Sequence, residues 1–293
     1  MTAGVASRVV RTVTDRQDAS RADAVAVEEP LELRLRLPGG PPVSFTVTMR
    51  TPGHDFELAA GFLHTEGVVC ARADIARITY CVDGPQEQRY NVVNIELRDG
   101  AAFDRGRLLR HHAMTSSCGV CGKASLEAVH AAGIAPPDPA MRLRADWIWG
   151  LPAMLRREQA AFDQTGGLHA AGLFAGGGDL VVLREDVGRH NAVDKVVGER
   201  LFSGAGPLSG HVLVVSGRAS FEIVQKAAAA GIPAVCAVSA PSTLAVDLAR
   251  SLGMILVGFV RERRFNVYSG ERRVDGAIAT LAAEAGAGPG PAP

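Results

Sequence analysis

The sequence predicts an α/β protein made of two units. A small α+β domain is expected at residues 28–140, and a larger α/β domain at 141–283 with a mostly parallel sheet covered on both faces. Three observations carry this reading. Leu31, Leu33, Leu35 and Leu37 share one face while Glu32, Arg34 and Arg36 share the other, the period-two pattern of a half-buried strand. From about Trp147 onward, apolar runs of strand length alternate with segments of helical length, which implies parallel strands joined by crossover helices. Between the two styles lies AAGIAPPDPAMRL at 131–143, whose prolines mark a boundary.

The elements follow in order. Residues 1–27 hold no apolar core of the kind a secretory signal needs and read as a disordered leader. After the leucine strand, PGGPP at 38–42 is turn chemistry. Val43, Phe45, Val47 and Met49 then alternate with Ser44, Thr46 and Thr48, which completes a hairpin. TPGHDFELAAGFLHTEG predicts a helix with Thr51 as cap, Pro52 at its first position and Gly67 at its end. Two strands are expected near 75–82 and 90–97, giving a strand–strand–helix–strand–strand unit. In the second region, strands are expected at 180–183, 211–216, 234–238 and 255–259. Helical segments follow the first three. The tail EAGAGPGPAP at 284–293 has no side chains large enough to pack and reads as disordered.

Composition narrows the function classes. The 293 residues are 47% hydrophobic and 21% charged, with 31 Lys+Arg against 31 Asp+Glu. A formal net charge of +0 argues for neither nucleic acid nor a membrane surface as partner. No apolar run approaches the roughly 18 residues of a spanning helix. Five cysteines, an odd number without a signal segment, favour a reducing cytoplasm over a disulfide framework.

Two of those cysteines stand out in MTSSCGVCGKASLEAV at 114–129. Cys118 and Cys121 sit between glycines, just before a helix-like run in which Leu126, Val129 and His130 hold helical spacing. A helix N-terminus offers unpaired N–H groups and a partial positive charge, both of which stabilise a thiolate. Lys123 and the preceding Arg105, Arg107, Arg110, His111 and His112 add to that field. A structural zinc site would need a second ligand pair; Cys70, Cys81, His111 and His112 lack the usual spacing. A thioredoxin-like motif would follow a strand early in a βαβ unit, whereas a basic, polar loop precedes this one. Buried structural thiols sit in apolar runs, as Cys236 does in AVCAVS. The pair therefore reads as a thiolate carrier, with Cys118 nearest the helix end as the loaded atom and Cys121 assisting release. Its glycines suit a mobile loop.

Sites in parallel sheets lie beyond the strand C-termini. Ser216, Gly217 and Arg218 end one strand and precede a helix, an arrangement suited to an anion or to a simple N-cap. The stretch Phe259, Val260, Arg261, Glu262, Arg263 and Arg264 ends another. Its arginines offer forked donors for phosphate, and Phe259 a face for a purine. Glu262 either repels phosphate or pairs with Arg261 or Arg263. VGRHNAVDK offers Arg189, His190, Asn191 and Asp194, with His190 a candidate either to bind a ligand or to cap the helix. His169 in TGGLHAAG is open in the same way.

Several segments together, ELAAGFLHTEG, SSCGVCG, TGGLHAAGL, EDVGRHNAVDKVVG, SGRASFEIVQKAAAAGIP and SAPSTLAVDLA, resemble the FdhD/NarQ family of sulfur carrier proteins. The likeness runs over residues 31–268. It implies a dimeric cytoplasmic protein with a cytidine-deaminase-like three-layer α/β/α C-terminal domain. It implies a persulfide on Cys118, accepted from a cysteine desulfurase. The sulfur would pass to the molybdenum (or tungsten) bis-molybdopterin guanine dinucleotide cofactor before its insertion into formate dehydrogenase. The family's cofactor-binding stretch falls on residues 259–264. A shared deaminase scaffold raises deaminase chemistry as a rival, but Ser117 replaces the expected proline before Cys118, and the pair lies upstream of the sheet region. The remaining alternatives are a cofactor-binding chaperone without sulfur transfer, and a thiol oxidoreductase.

Overall fold

The computed structural model describes residues 4–82, 90–99 and 134–276. The leucine alternation produces β3 (Glu29–Arg36), with Leu31, Leu33 and Leu35 buried. β4 (Pro42–Arg50) pairs antiparallel with it, but a register shift between Leu33 and Arg34 breaks the simple alternation. Phe45 turns inward, while Val43, Val47 and Met49 stay exposed. β5 (Ile75–Tyr80) and β6 (Val92–Leu97) complete a four-stranded sheet in the order β4-β3-β6-β5. Helix α1 (Asp55–Thr65) packs Leu58, Ala59 and Leu63 onto its leucine face.

The start of α1 differs from the expected one. Gly53 and His54 both take positive φ, 108° and 59°, so the helix begins only at Asp55. Thr51 and Pro52 precede it, and Thr51 serves another purpose described below. Gly67, at φ 69°, does close the helical segment, its N–H bonding the His64 carbonyl.

The expected disordered leader is also corrected. β1 (Val5–Val13) and β2 (Asp18–Ala26) form an antiparallel hairpin, in register from Val5↔Ala26 to Val13↔Asp18. Arg11 holds Asp18 through two guanidinium hydrogen bonds. The signal was hard to see because the hairpin buries no stripe; Val9 and Val13 face solvent. Backbone pairing, rather than an apolar face, makes these strands.

The larger sheet has the order β13-β12-β11-β10-β8-β9. Parallel pairing is confined to β10 (His211–Val215), β11 (Ala234–Ala237) and β12 (Ile255–Arg261). Antiparallel strands extend it on both sides: β8 (His169–Ala175) and β9 (Leu180–Asp186) on one, β13 (Arg264–Ser269) on the other. The sequence reading did not assign β8 or β13. One face is covered by α4 (Arg189–Phe202), α5 (Phe221–Ala229) and α6 (Thr243–Ser251), packed on Leu173, Leu213, Val235 and Leu256. The other is covered by α2 (Ala145–Arg157), whose Ile148, Leu151 and Leu155 meet Phe174, Val214 and Ile255. A short α3 (Ala160–Thr165) leads into β8, and β7 (Leu143–Arg144) pairs with β14 (Val274–Asp275). No helix among the described residues is long and apolar enough to cross a membrane.

The two sheets are joined through α1 and α4. Leu201 of α4 belongs to the core under the small sheet. At the edge of the junction, Arg184 of β9 grips Glu57 of α1 through two hydrogen bonds of 2.6 and 2.9 Å. Burial alone would raise the Glu57 carboxyl, but hydrogen bonds from His54 and Arg184 bring it down to about 2 from an ordinary 4.5. Its folded value is depressed, so its contribution is complete above pH 4.5 and is lost as pH falls toward 2. At about 1.4 kcal/mol per unit, this sets an upper bound of roughly 3.5 kcal/mol, which solvent screening of a partly exposed pair reduces to a fraction of that. Urea midpoints at pH 5 and pH 3 should therefore fall further in the wild type than in Glu57→Gln. Parallel losses in the two proteins would refute the assignment.

Candidate functional site

The C-terminal ends of β10, β11 and β12 share one edge, and antiparallel β8 begins there. Backbone bonds carry the pairing past the strand ends. Ser216 N donates to Ala170 O at 3.0 Å, Ser239 N to Gly217 O at 3.3 Å, and Phe259 N to Ser239 O at 3.1 Å. Residues 169, 217, 239 and 259 thus stand side by side. The structure brings together three segments that the sequence named separately.

Ser216 and Arg218 do not open a helix directly. Helix α5 starts at Phe221, with Ser220 as its N-cap. The Ser216 hydroxyl accepts from Ala170 N at 2.9 Å, which stitches β10 to β8. Arg218 stands exposed on the intervening loop.

The 259–264 stretch forms the end of β12, a tight turn and the start of β13. Three described non-glycine residues have positive φ, and two lie here: Phe259 at 52° and Arg263 at 58°. Phe259 sits in a register shift between Gly258 and Arg261, where a bulge re-aims side chains. The Val260 side chain is buried in the core on the α2 face of the sheet, which leaves only its backbone for a ligand. Arg261 is held by the Val238 and Val260 carbonyls. Glu262, Arg263 and Arg264 are exposed. Among the described residues, Glu262 pairs with neither Arg261 nor Arg263, and Arg263 and Arg264 form no ion pair.

The GRHNAVDK segment divides along α4. Asn191, Asp194 and Lys195 turn inward and tie the two units together. Lys195 Nζ lies 2.7 Å from Asp186 Oδ2 and donates to Thr51 O at 2.9 Å. Thr51 N donates to Asp186 at 3.1 Å, and the Thr51 hydroxyl accepts from Val187 N at 3.1 Å. Asn191 Nδ2 donates to Met49 O at 2.7 Å. Further along, Asp194 accepts from the Thr65 hydroxyl at 2.7 Å and faces Lys226 Nζ at 3.0 Å. Burial pushes the Asp194 carboxyl up to about 6 against the pull of Lys226. Burial also works to lower Lys226, but Asp194 and Glu66 outweigh it and raise it. Asn191 and Asp194, candidates for ligand binding, are therefore structural. Lys226 was missed by the sequence reading; the available signal was a lysine inside the apolar face of FEIVQKAAAA.

Arg189 and His190 instead face the strand edge. His190 Nε2 lies 3.1 Å from Ser220 Oγ and 3.8 Å from Glu222. Burial first, then Arg189, lowers His190 to about 4. Burial, Arg189 and Arg218 likewise lower His169. Both imidazoles are neutral at pH 7, and hence can act as acceptors or neutral donors.

Cys118 and Cys121 lie outside the described residues, as do the 284–293 tail and the basic residues 105–112. Cys236 is buried on β11, where burial pushes its thiol up to about 12, as suits an inert thiol. Cys70 is exposed. No cluster of three or more His, Cys, Asp or Glu suited to a metal occurs among the described residues. The chain contains one His-x-Glu triplet, the ligand-and-acid pattern of a zinc deaminase, at His64, Thr65 and Glu66. Its members are bound elsewhere: His64 Nδ1 to Val69 O, Thr65 to Asp194, and Glu66 to Lys226.

These features define a two-unit α/β protein with an arginine-rich strand edge, in a chain whose sequence also holds the Cys118–Cys121 pair. The chain belongs to the FdhD/NarQ family, whose model matches residues 26–275. The "Sulfur carrier protein FdhD" of Streptomyces avermitilis is 52% identical over 273 residues, covering 91% of this chain and 94% of that protein. The protein of the same name from Mycobacterium tuberculosis is 49% identical over 275 residues, covering 92% and 98%. Among solved structures, a Desulfotalea psychrophila protein described as a formate dehydrogenase accessory protein aligns with a TM-score of 0.70 at 24% identity. It covers 92% of this chain and 99% of that one, a likeness of fold.

Proposed function

We propose that the chain is a sulfur carrier in formate dehydrogenase maturation. It takes a persulfide sulfur from a cysteine desulfurase onto Cys118 and passes it to a molybdenum bis-molybdopterin guanine dinucleotide cofactor bound as substrate. The carrying observation is the combination of the Cys118–Cys121 pair with an edge of uncompensated arginines, in a chain about half identical to named sulfur carriers. In the loading step the Cys118 thiolate attacks the terminal sulfur of the donor persulfide. A new S–S bond forms at Cys118, the donor's S–S bond breaks, and the donor leaves as a thiolate. In the release step the Cys121 thiolate attacks the Cys118 sulfur, the bond to the outer sulfur breaks, and that sulfur leaves at the sulfide level as a Cys118–Cys121 disulfide forms. The cofactor's phosphates suit Arg218, Arg263 and Arg264, which form no ion pair among the described residues and offer forked donors. Phe259, re-aimed by its bulge, offers a purine face. Arg261 and Ser216 shape the edge through bonds already made, and Glu262 limits how closely an anion approaches the turn. The setting is the cytoplasm, and the working unit is a homodimer.

The test is intact mass spectrometry after incubation with a desulfurase and cysteine. The wild type should gain one sulfur that a reducing thiol removes. Cys118→Ala should lose both that adduct and the ability to activate formate dehydrogenase. A Cys118→Ala protein that keeps its activity would make the chain a cofactor chaperone without transfer. Turnover of a test disulfide, indifferent to the cofactor, would make it a thiol oxidoreductase.

A further inference from the structure

Helix α1 packs on one face of the small sheet, against Leu33, Leu35, Val93 and Ile95. The opposite face carries exposed and half-buried side chains among the described residues. Strand register sets these side chains in rows. Ser44, Arg34, Asn94 and Thr79 stand side by side across β4, β3, β6 and β5, and Pro42, Arg36, Glu96 and Arg77 form the next row. The two rows line a groove of about 250 Å³.

An antiparallel sheet commonly leaves one face in water, so openness alone marks nothing. Charge, apolar exposure and one unmet acceptor distinguish this face. Its acids are already engaged: Glu32 holds Arg34 at 2.7 Å, and Glu96 holds Arg77 at 3.2 Å. Arg36 is exposed and forms no ion pair among the described residues, which leaves the groove with a surplus of positive charge. Asn94 Oδ1 is closed off from solvent and has no hydrogen-bond partner among the described residues. Such an acceptor gains from a donor that enters the groove. Beyond Glu32 the face turns apolar. Val47 is 60% exposed and Met49 46%, and Tyr90 at the same end of the sheet is 63% exposed. Exposed arginine, methionine and tyrosine side by side are the composition of a protein interface.

We propose that this outer face docks an extended, acidic segment of a partner protein running along β3, with its carboxylates on Arg34 and Arg36 and its apolar end on Val47 and Met49. The surface lies on the small unit and is not used by the cofactor reading. An extended chain repeats side chains on one face about every 6.8 Å, and Arg34 and Arg36, two residues apart on β3, have that same spacing. Carboxylates at every second residue therefore meet both guanidiniums at once. A backbone N–H of the segment serves Asn94 Oδ1. This is recognition of a strand-like peptide by side chains on a sheet face, with the charges setting specificity.

The test is fluorescence anisotropy of the full chain with a labelled peptide of alternating Glu and Thr that ends in Leu, at fixed low salt. Its isomer, with every Glu placed before every Thr, is the control for bulk charge. The wild type should bind the alternating peptide several-fold more tightly than the isomer. Arg36→Glu should weaken the alternating peptide by about tenfold or more, the value of one charge-assisted bond, and Arg36→Lys should recover part of the loss. Val47→Asp should weaken it as well. Arg36 and Val47 are exposed, so unchanged melting temperatures will show that the variants keep the fold. Equal binding of the two isomers, an Arg36→Glu variant that binds like the wild type, or a wild type that binds neither peptide would each overturn the proposal. Sedimentation of the same proteins without peptide covers the other occupant. If the wild type is a dimer that Arg36→Glu and Val47→Asp convert to monomer, the face is a contact between copies of this chain and the acidic segment is overturned.

Discussion

Gly198→Ala is expected to destabilise the protein by about 3 kcal/mol, the upper end of the usual range for overpacking. Alanine in place of a mid-helix glycine ordinarily stabilises by about 1 kcal/mol, so the sign here is opposite to helix propensity. The cause is the crossing of α1 and α4. A Cβ on Gly198 would lie 1.8 Å from the Glu57 carbonyl oxygen and 2.6 Å from its carbon. The mirror contact is as close, with a Cβ on Gly61 lying 1.8 Å from the Asp194 oxygen. Both obstacles are backbone, so no rotamer change relieves them. The helices must part, and the Thr65–Asp194 hydrogen bond parts with them. Gly150 in α2 is the internal control, since the nearest atom to its added Cβ is Met154 Sδ at 4.0 Å. Gly150→Ala should raise stability while Gly198→Ala lowers the melting temperature by roughly 6–12 °C. A Gly198→Ala protein at least as stable as the wild type would mean that the two helices are not in contact in solution.

The second large effect is expected at Lys195. It is 1% exposed and its partner Asp186 is 0% exposed, so the pair is fully withdrawn from water. Lys195→Met keeps the apolar stem and removes the charge, leaving Asp186 with three hydrogen bonds and no cation. Breaking such a pair from one side costs about 3–5 kcal/mol, because the remaining charge stays buried. The double variant Lys195→Met/Asp186→Asn tests the cause. If the uncompensated charge is responsible, the second substitution recovers part of the loss in chemical denaturation. If lost packing around Lys195 is responsible, the double variant is no better than the single. The pair also reaches function, because Asp186 and Thr51 fix the start of α4, which presents Arg189 and His190 to the strand edge.

Much of this architecture was legible without coordinates. The leucines of β3, the apolar runs of β10, β11 and β12, and the polar residues at their ends declare themselves through periodicity and chain order. Elements that lack a buried stripe were harder. The β1–β2 hairpin is held by backbone pairing and surface charges, so no apolar alternation announced it. β8 reads as HAAGLFA, where small residues conceal a strand that is nonetheless central to the sheet. The late start of α1 depends on two successive positive φ angles, one of them at histidine, where Thr-Pro-Gly had suggested an ordinary cap.

Site residues divided in the same way. Residue types and order placed Ser216, Arg218, Phe259 and the three arginines near strand ends. Which side chains remain available for a ligand was not a local property. Ser216 is spent on Ala170, Val260 on the core, and Asn191, Asp194 and Lys195 on the junction between the units, whereas Arg189 Nε has no acceptor among the described residues. The sequence by itself determined the leucine strand β3, the parallel strands β10, β11 and β12, and the chemical types at the edge, because periodicity and side-chain chemistry are written residue by residue. Only the tertiary structure decided the α1–α4 contact and the division of the VGRHNAVDK segment, because both depend on partners more than a hundred residues away and on clearances of a single carbon atom.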